Sequence, residues 1–197
     1  NPVFGRTKIG SVGMPFPSTE LAVVDLEPDG QGELRFLDVG QPGELVVRGP
    51  QVMSGYKGME SETNHALRDG WLHTGDIAVM DEEGYFSIID RLKDMVITGG
   101  YNVYPREIDE VLYQHPAVAE ACSIGIPHET WGESVKAFVV LREGMSCSAG
   151  EIIEFCSSHL AKYKLPREVE FRQSLPKSAV GKILRKELKE EELSKRK

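Results

Sequence analysis

The chain has 197 residues, 40% of them hydrophobic and 27% charged, which is ordinary for a soluble globular protein with room for a sizeable core. A formal net charge of −8 argues against general electrostatic attraction to nucleic acid or anionic membranes and leaves a local basic patch as the place for a phosphate-bearing small molecule. Three cysteines, Cys122, Cys147 and Cys156, without CxxC spacing argue against a disulfide framework or a zinc site and for reduced thiols of a cytoplasmic protein.

No apolar run reaches the roughly 18 residues needed to span a bilayer, and no basic-then-apolar signal pattern opens the chain. Starting at Asn1 without a Met, the sequence is expected to be a piece of a longer one.

From Leu21 to about Asp90 the sequence runs in short β-like bursts, LAVVD, ELRFLDV, ELVVRG, IAVMD and YFSIID, separated by the turn signals DGQG, QPGE and DEEG. Strands this short and evenly spaced predict a small antiparallel barrel or sandwich. The polar, glycine-containing stretch MSGYKGMESETNHALRDG interrupts them as a surface excursion, with one helical turn near Glu62 to Leu67.

After Arg91 strands alternate with helices. PREIDEVLYQH has Pro at a first helical position, acidic residues in the first turn and Ile108, Val111 and Leu112 at i, i+3, i+4 spacing, which predicts a helix. EACSIGI and ESVKAFVVL follow, the second alternating Val135, Ala137, Val139 and Leu141 against Lys136, Phe138 and Val140, as a strand packed on both faces would. Ser148 and Glu151 form a capping box ahead of a helix whose apolar face comprises Ile152, Ile153, Cys156 and Leu160. EVEFR predicts a short strand, PKSAVGK a polar loop, and ILRKELKEEEL a charged terminal helix read as solvated.

The expected fold class is α+β: a small antiparallel β-barrel-like part over residues 1–91, then a compact C-terminal domain over 92–197 with a small sheet flanked by helices.

The residues with chemical potential concentrate between 70 and 112. Asp76, after Thr74-Gly75, sits at the mouth of a predicted strand, where a carboxylate could accept two hydroxyl hydrogen bonds from a ribose, each worth roughly 1.5–3 kcal/mol. A turn aspartate satisfying its own backbone accounts for the same triplet. Arg91, Lys93 and Asp94 break a long apolar segment, which fits a hinge or a polar hairpin turn equally well. Gly99 and Gly100 allow positive φ or close approach of a ligand chain, and a tight turn explains them too. Lys182, on a loop ahead of a helix, could carry its ammonium to a phosphate, where losing such a donor typically costs ~10²–10³ in rate; a solvated lysine is the alternative. Lys162, Lys164 and Arg167 form the other local basic group, a phosphate site or simply surface.

Taken in order, GELVVRGPQVMSGY, GWLHTGDIAVMDEEGYFSIIDRLKDMVITGGYNVYPREIDEVL and PKSAVGKILRKEL resemble the C-terminal part of the adenylate-forming superfamily: acyl- and aryl-CoA synthetases, nonribosomal peptide synthetase adenylation domains and beetle luciferases. The resemblance covers essentially the whole chain. It implies that residues 1–91 are the last subdomain of a large N-terminal adenylation domain and 92–197 a small mobile domain turning about a hinge at Lys93. It also implies that Asp76 and Arg91 hold the ribose of ATP and of the acyl-adenylate, and that Lys182 is the catalytic lysine of adenylation. Gly99, Gly100 and Tyr101 would then line the approach of the CoA pantetheine, and Lys164 would contact a CoA phosphate. Asn102 departs from the arginine that some acyl-CoA synthetases carry there.

The implied activity is that of an AMP-forming acid–thiol ligase, an acyl-CoA synthetase acting on a carboxylic acid, with a fatty acid expected. Its substrates and cofactors would be ATP, Mg²⁺ and CoA, with no metal site in this chain. An aryl-CoA ligase or a peptide-synthetase adenylation domain is the alternative. Nothing in the sequence resembles the family's Gly/Ser/Thr-rich phosphate loop or its acyl pocket. The chain alone is therefore expected to be catalytically silent, to need the missing N-terminal region as its partner, and to self-associate through a surface that region would cover.

Overall fold

The computed structural model describes residues 7–26 and 33–196. The start of the chain through Arg6 and the DGQG turn at 29–32 lie outside the described residues. The chain divides into two compact units, Asn1–Lys93 and Asp94–Lys197.

The first unit contains β1 (Glu20–Val24), β2 (Gly43–Arg48), α1 (Glu60–Ala66), β3 (Leu67–Arg68), β4 (Trp71–Met80) and β5 (Phe86–Arg91). Its strands form a curled antiparallel half-barrel in the order β1-β2-β4-β3, with β5 added along β4. Successive side chains of a strand point to opposite faces, so neighbouring residues feed two different cores. Val23 and Leu45 join Ala78 and Phe86 on one face, whereas Val24 and Val46 join Trp71 on the other.

The stretch ELRFLDV, expected as a strand, is reduced to an isolated bridge between Val24 and Phe36. Two backbone bonds flank it, Asp25 N–H to Arg35 O at 2.9 Å and Leu37 N–H to Val23 O at 2.8 Å. A turn then begins at Asp38, where Gln41 N–H reaches the Asp38 carbonyl and Gln41 Oε1 accepts from Asp38 N–H, and it ends the pairing.

In the second unit the elements are β6 (Val96–Thr98), β7 (Tyr101–Val103), α2 (Pro105–Leu112), β8 (Val118–His128), β9 (Gly132–Leu141), α3 (Ala149–Ser157), β10 (Glu168–Phe171) and α4 (Arg185–Lys195). A 3₁₀ turn at Leu92–Asp94 straddles the division between the units, and another lies at Lys162–Lys164. β9 is the middle strand, antiparallel to β8, parallel to β10, and meeting β6 at Thr98 opposite Gly132.

Both faces of β9 are buried, as its alternation predicts. Val135, Ala137 and Val139 pack with Val96, Ile108, Leu112, Ile152 and Cys156, while Phe138 and Val140 pack with Ile124, Leu175 and Leu188. α2 starts at Pro105 and buries Ile108, Val111 and Leu112. α3 has the full capping box, Glu151 N–H donating to Ser148 Oγ and Ser148 N–H to Glu151 Oε2. It stops at Ser157, and Leu160 packs on the same core from beyond the helix.

The terminal helix departs from its expectation. α4 is not a solvated end, because Leu188 is fully buried and Glu192 is only 2% exposed. These two residues, one turn apart, form a narrow stripe that faces β9, where Lys136 Nζ meets Glu192 Oε2 at 2.8 Å. A charged sequence hides this stripe because half of it is a carboxylate.

The three cysteines are free. Burial pushes the Cys122 thiol up to about 12 and that of Cys156 to about 11, so both stay protonated. Among the described residues no helix is long and apolar enough to cross a membrane.

Candidate functional site

The first unit holds Asp76 on a built distortion of β4. β2 and β4 pair Val46 with His73 and then Glu44 with Ile77, so Leu45 alone stands opposite Thr74, Gly75 and Asp76. The surplus residues must bulge, and Gly75 absorbs the bulge at φ +68. A Cβ there would meet nothing within 4 Å, so the backbone conformation, not space, calls for glycine.

Side chains on either side pin the bulge. Thr74 Oγ1 donates to the Leu45 carbonyl at 2.8 Å and accepts Asp76 N–H at 3.1 Å. Glu44, buried against His73, accepts Gly75 N–H on one oxygen at 3.1 Å and meets His73 Nδ1 with the other at 2.8 Å. The Asp76 carboxylate is thereby presented beside Arg91, its register partner on β5, with Arg91 Nε at 2.6 Å from Asp76 Oδ1.

The remaining sequence-derived candidates, apart from Lys93, belong to the second unit. Gly99 and Gly100 are the two residues of the β6–β7 hairpin turn, since Thr98 pairs with Tyr101, and their φ values of +57 and +82 suit a two-residue turn of this twist. Gly99 N–H donates to the Trp131 carbonyl at 3.0 Å. Tyr101 is exposed and stacks on Tyr163 at 4.6 Å between ring centroids. Lys164 is next to that ring, but both oxygens of Glu107 hold its ammonium at 2.7 Å. Lys93 is exposed in the 3₁₀ turn that ends the first unit, and Asn102 is exposed on β7.

Lys182 is on a small hairpin of its own. Ser178 N–H donates to the Lys182 carbonyl at 2.8 Å, Lys182 N–H to Ser178 Oγ at 3.2 Å, and Lys177 bridges to Ile183. Its side chain is exposed, and its ammonium has no partner among the described residues.

Residues 107–182 match the model of the AMP-binding enzyme C-terminal domain, and residues 3–57 match that of the AMP-binding enzyme. The chain belongs to the AMP-binding enzyme family. It is 52% identical over 192 residues to a long-chain-fatty-acid–CoA ligase of Bacillus subtilis, covering 98% of this chain and 33% of that protein. It is 43% identical to a 2-succinylbenzoate–CoA ligase of a Geobacillus species, covering 96% of this chain and 37% of that one. Among solved structures it is similar to ATP-bound MatB from Rhodopseudomonas palustris, with a TM-score of 0.88 and 38% identity over 97% of this chain and 37% of that one. The chain thus spans about a third of the length of the curated relatives it matches.

Two features of this chain escape a reading of the sequence. Glu44 and His73 hold the bulge under Asp76 from positions 29 residues apart, and only the strand register unites them. Beside the glycine turn, Arg167 lies over the Trp131 ring at 3.2 Å from its centroid and His128 stacks on the same ring at 4.6 Å, a cationic and aromatic surface able to meet a planar or anionic ligand. A tryptophan alone in the polar stretch GIPHETWGE was its one available signal.

Among the described residues no group of three or more His, Cys, Asp or Glu side chains could hold a metal ion.

Proposed function

We propose that the protein containing this chain is an ATP-dependent acyl-CoA synthetase of the AMP-forming type. The carboxylate oxygen of the acid attacks the α-phosphorus of ATP, the bond to pyrophosphate breaks, and acyl-AMP forms. The CoA thiol, losing its proton, then attacks the acyl carbon, and AMP leaves with the electrons of the mixed anhydride bond. The observation that carries this reading is Asp76 on its pinned bulge beside Arg91, a charged acceptor prepared for two hydroxyls.

In this proposal Arg91 orients the same ribose. Lys182, whose ammonium has no partner among the described residues, places positive charge at the α-phosphate and the attacking carboxylate. Gly99, Gly100 and Tyr101 line the pantetheine path, and Lys164 meets a CoA phosphate once Glu107 releases it. Lys93 is the pivot at which the domain of residues 92–197 changes between the two half-reactions. The chain without the rest of its protein is inactive, and the enzyme works in the cytoplasm.

The acid is proposed to be a fatty acid, supported by 52% identity to long-chain-fatty-acid–CoA ligases from Bacillus subtilis and Escherichia coli. The 43% identity to a 2-succinylbenzoate–CoA ligase supports an aromatic acid as the second reading. Pyrophosphate exchange by the full-length protein across fatty, aryl and amino acids tests both. Exchange that depends on fatty acids is expected; exchange with amino acids alone would sink the ligase reading.

A further inference from the structure

We infer that Arg185 is a positioning residue for Lys182, clamping the foot of the lysine hairpin to the core of its own unit. This rests on the role proposed for Lys182 above. Lys182 is exposed at the tip side of a hairpin whose first strand is tied to β8 by Lys177 Nζ and Glu120 Oε1 at 2.5 Å, and whose other strand runs through Ile183 into α4. Three residues after Lys182, α4 begins at Arg185, and the chain there is gripped from three directions.

Arg185 Nη2 donates to Asp109 Oδ2 at 2.6 Å on α2, Nε donates to the Ser123 carbonyl at 3.0 Å on β8, and Nη1 lies 3.5 Å from Asp94 Oδ2. Asp109 also accepts Ser123 N–H at 2.6 Å, so one buried carboxylate joins helix, strand and guanidinium. Burial raises the Asp109 carboxyl to about 6 against the pull of Arg185 and Ser123, which leaves it ionised at neutral pH with Arg185 as its counter-charge.

A planar fork satisfied at several points has little freedom, so the backbone at 185 is fixed and the hairpin leaves the core in a set direction. The Asp94 arm is the long one, and Asp94 directly follows Lys93. The clamp therefore reaches from the lysine hairpin to the first residue of the second unit.

The test uses the full-length enzyme with Arg185→Gln, Arg185→Lys, Asp94→Asn and Lys182→Ala, each assayed for the two half-reactions separately. Arg185→Gln is expected to lower kcat of pyrophosphate exchange by about 10²-fold, as a displaced catalytic group does, while thioester formation from supplied acyl-adenylate changes by less than about twofold. Arg185→Lys should recover part of the loss. Asp94→Asn, which spares the buried Asp109 contact, should show a smaller change of the same kind and controls for failure to fold. Amide hydrogen exchange over residues 177–184 should quicken in Arg185→Gln while β8 and β9 stay protected. Equal loss of both half-reactions, or unchanged exchange at 177–184, would overturn the inference. If Lys182→Ala leaves adenylation intact, the role proposed for Lys182 fails instead, and hydrogen exchange still decides whether Arg185 holds the hairpin.

Discussion

Asp76 and Arg91 are cross-strand partners whose charged ends close to 2.6 Å, with Arg91 more than half exposed. A pair this open contributes about 0–1 kcal/mol to stability, so its removal separates a role in nucleotide binding from one in the fold. Asp76→Ala should lower kcat/KM for ATP by about 10²-fold or more, from the loss of charge-assisted hydroxyl bonds, while unfolding shifts by less than about 1 kcal/mol. Pyrophosphate exchange and urea unfolding measured side by side check this.

Glu44 behaves oppositely. Its carboxylate is buried and holds Gly75 N–H and His73 Nδ1 together. Glu44→Gln presents an amide where a second acceptor is needed, and the expected cost is about 1–3 kcal/mol of stability along with a fall in adenylation. Loss of activity with unchanged stability would show that the bulge does not depend on Glu44.

Lys136 offers the largest stability change. Burial alone would depress its ammonium, but hydrogen bonds to Glu170 and Glu192 outweigh burial and raise it. Lys136→Met leaves Glu192 buried with Lys195 and Arg196 as its remaining partners and should cost about 3 kcal/mol, the low end for a broken buried pair. The double change Lys136→Met with Glu192→Leu should cost less than the two singles added, which a double-mutant cycle in urea reads directly.

Two carboxylates should give pH effects of opposite sign. Hydrogen bonds from Arg172 and Lys195 hold Glu191 down at about 2, so its contribution is present above the unfolded value near 4.5 and is lost as pH falls toward about 2. Burial holds Asp109 up at about 6, so its contribution is full below 3.8 and is lost as pH rises through about 6. Glu191→Gln should flatten the acid limb of a stability–pH curve, and Asp109→Asn the segment between about 4 and 6. Chemical unfolding at a series of pH values checks both.

Local chemistry made much of the fold legible. Pro105, the Ser148–Glu151 box and the two-faced alternation of β9 each state their structure within a few residues. What escaped depends on a partner far along the chain. ELRFLDV has strand composition, but its neighbour β1 offers it one bridge before the Asp38 turn. α4 looks solvated until Lys136, 56 residues earlier, is seen opposite Glu192. At the candidate site, Thr74-Gly75-Asp76 was readable as a turn with a carboxylate, whereas Glu44 reaches Gly75 across 31 residues and the strand register alone brings them together. Lys164 was readable as a free cation for the same reason that its pairing with Glu107 was not, since 57 residues separate the two.

The Lys136–Glu192 contact also has a consequence during synthesis. The β8–β9 hairpin is made of neighbouring residues and leaves the ribosome before α4, with Phe138 and Val140 on the same face as the Lys136 ammonium. Glu170 on β10 can meet that ammonium first, at 2.7 Å, but the apolar part of the face closes only when Leu188 of α4 covers it. A nascent chain paused ahead of α4 would therefore display Phe138 and Val140 to chaperones until that helix emerges.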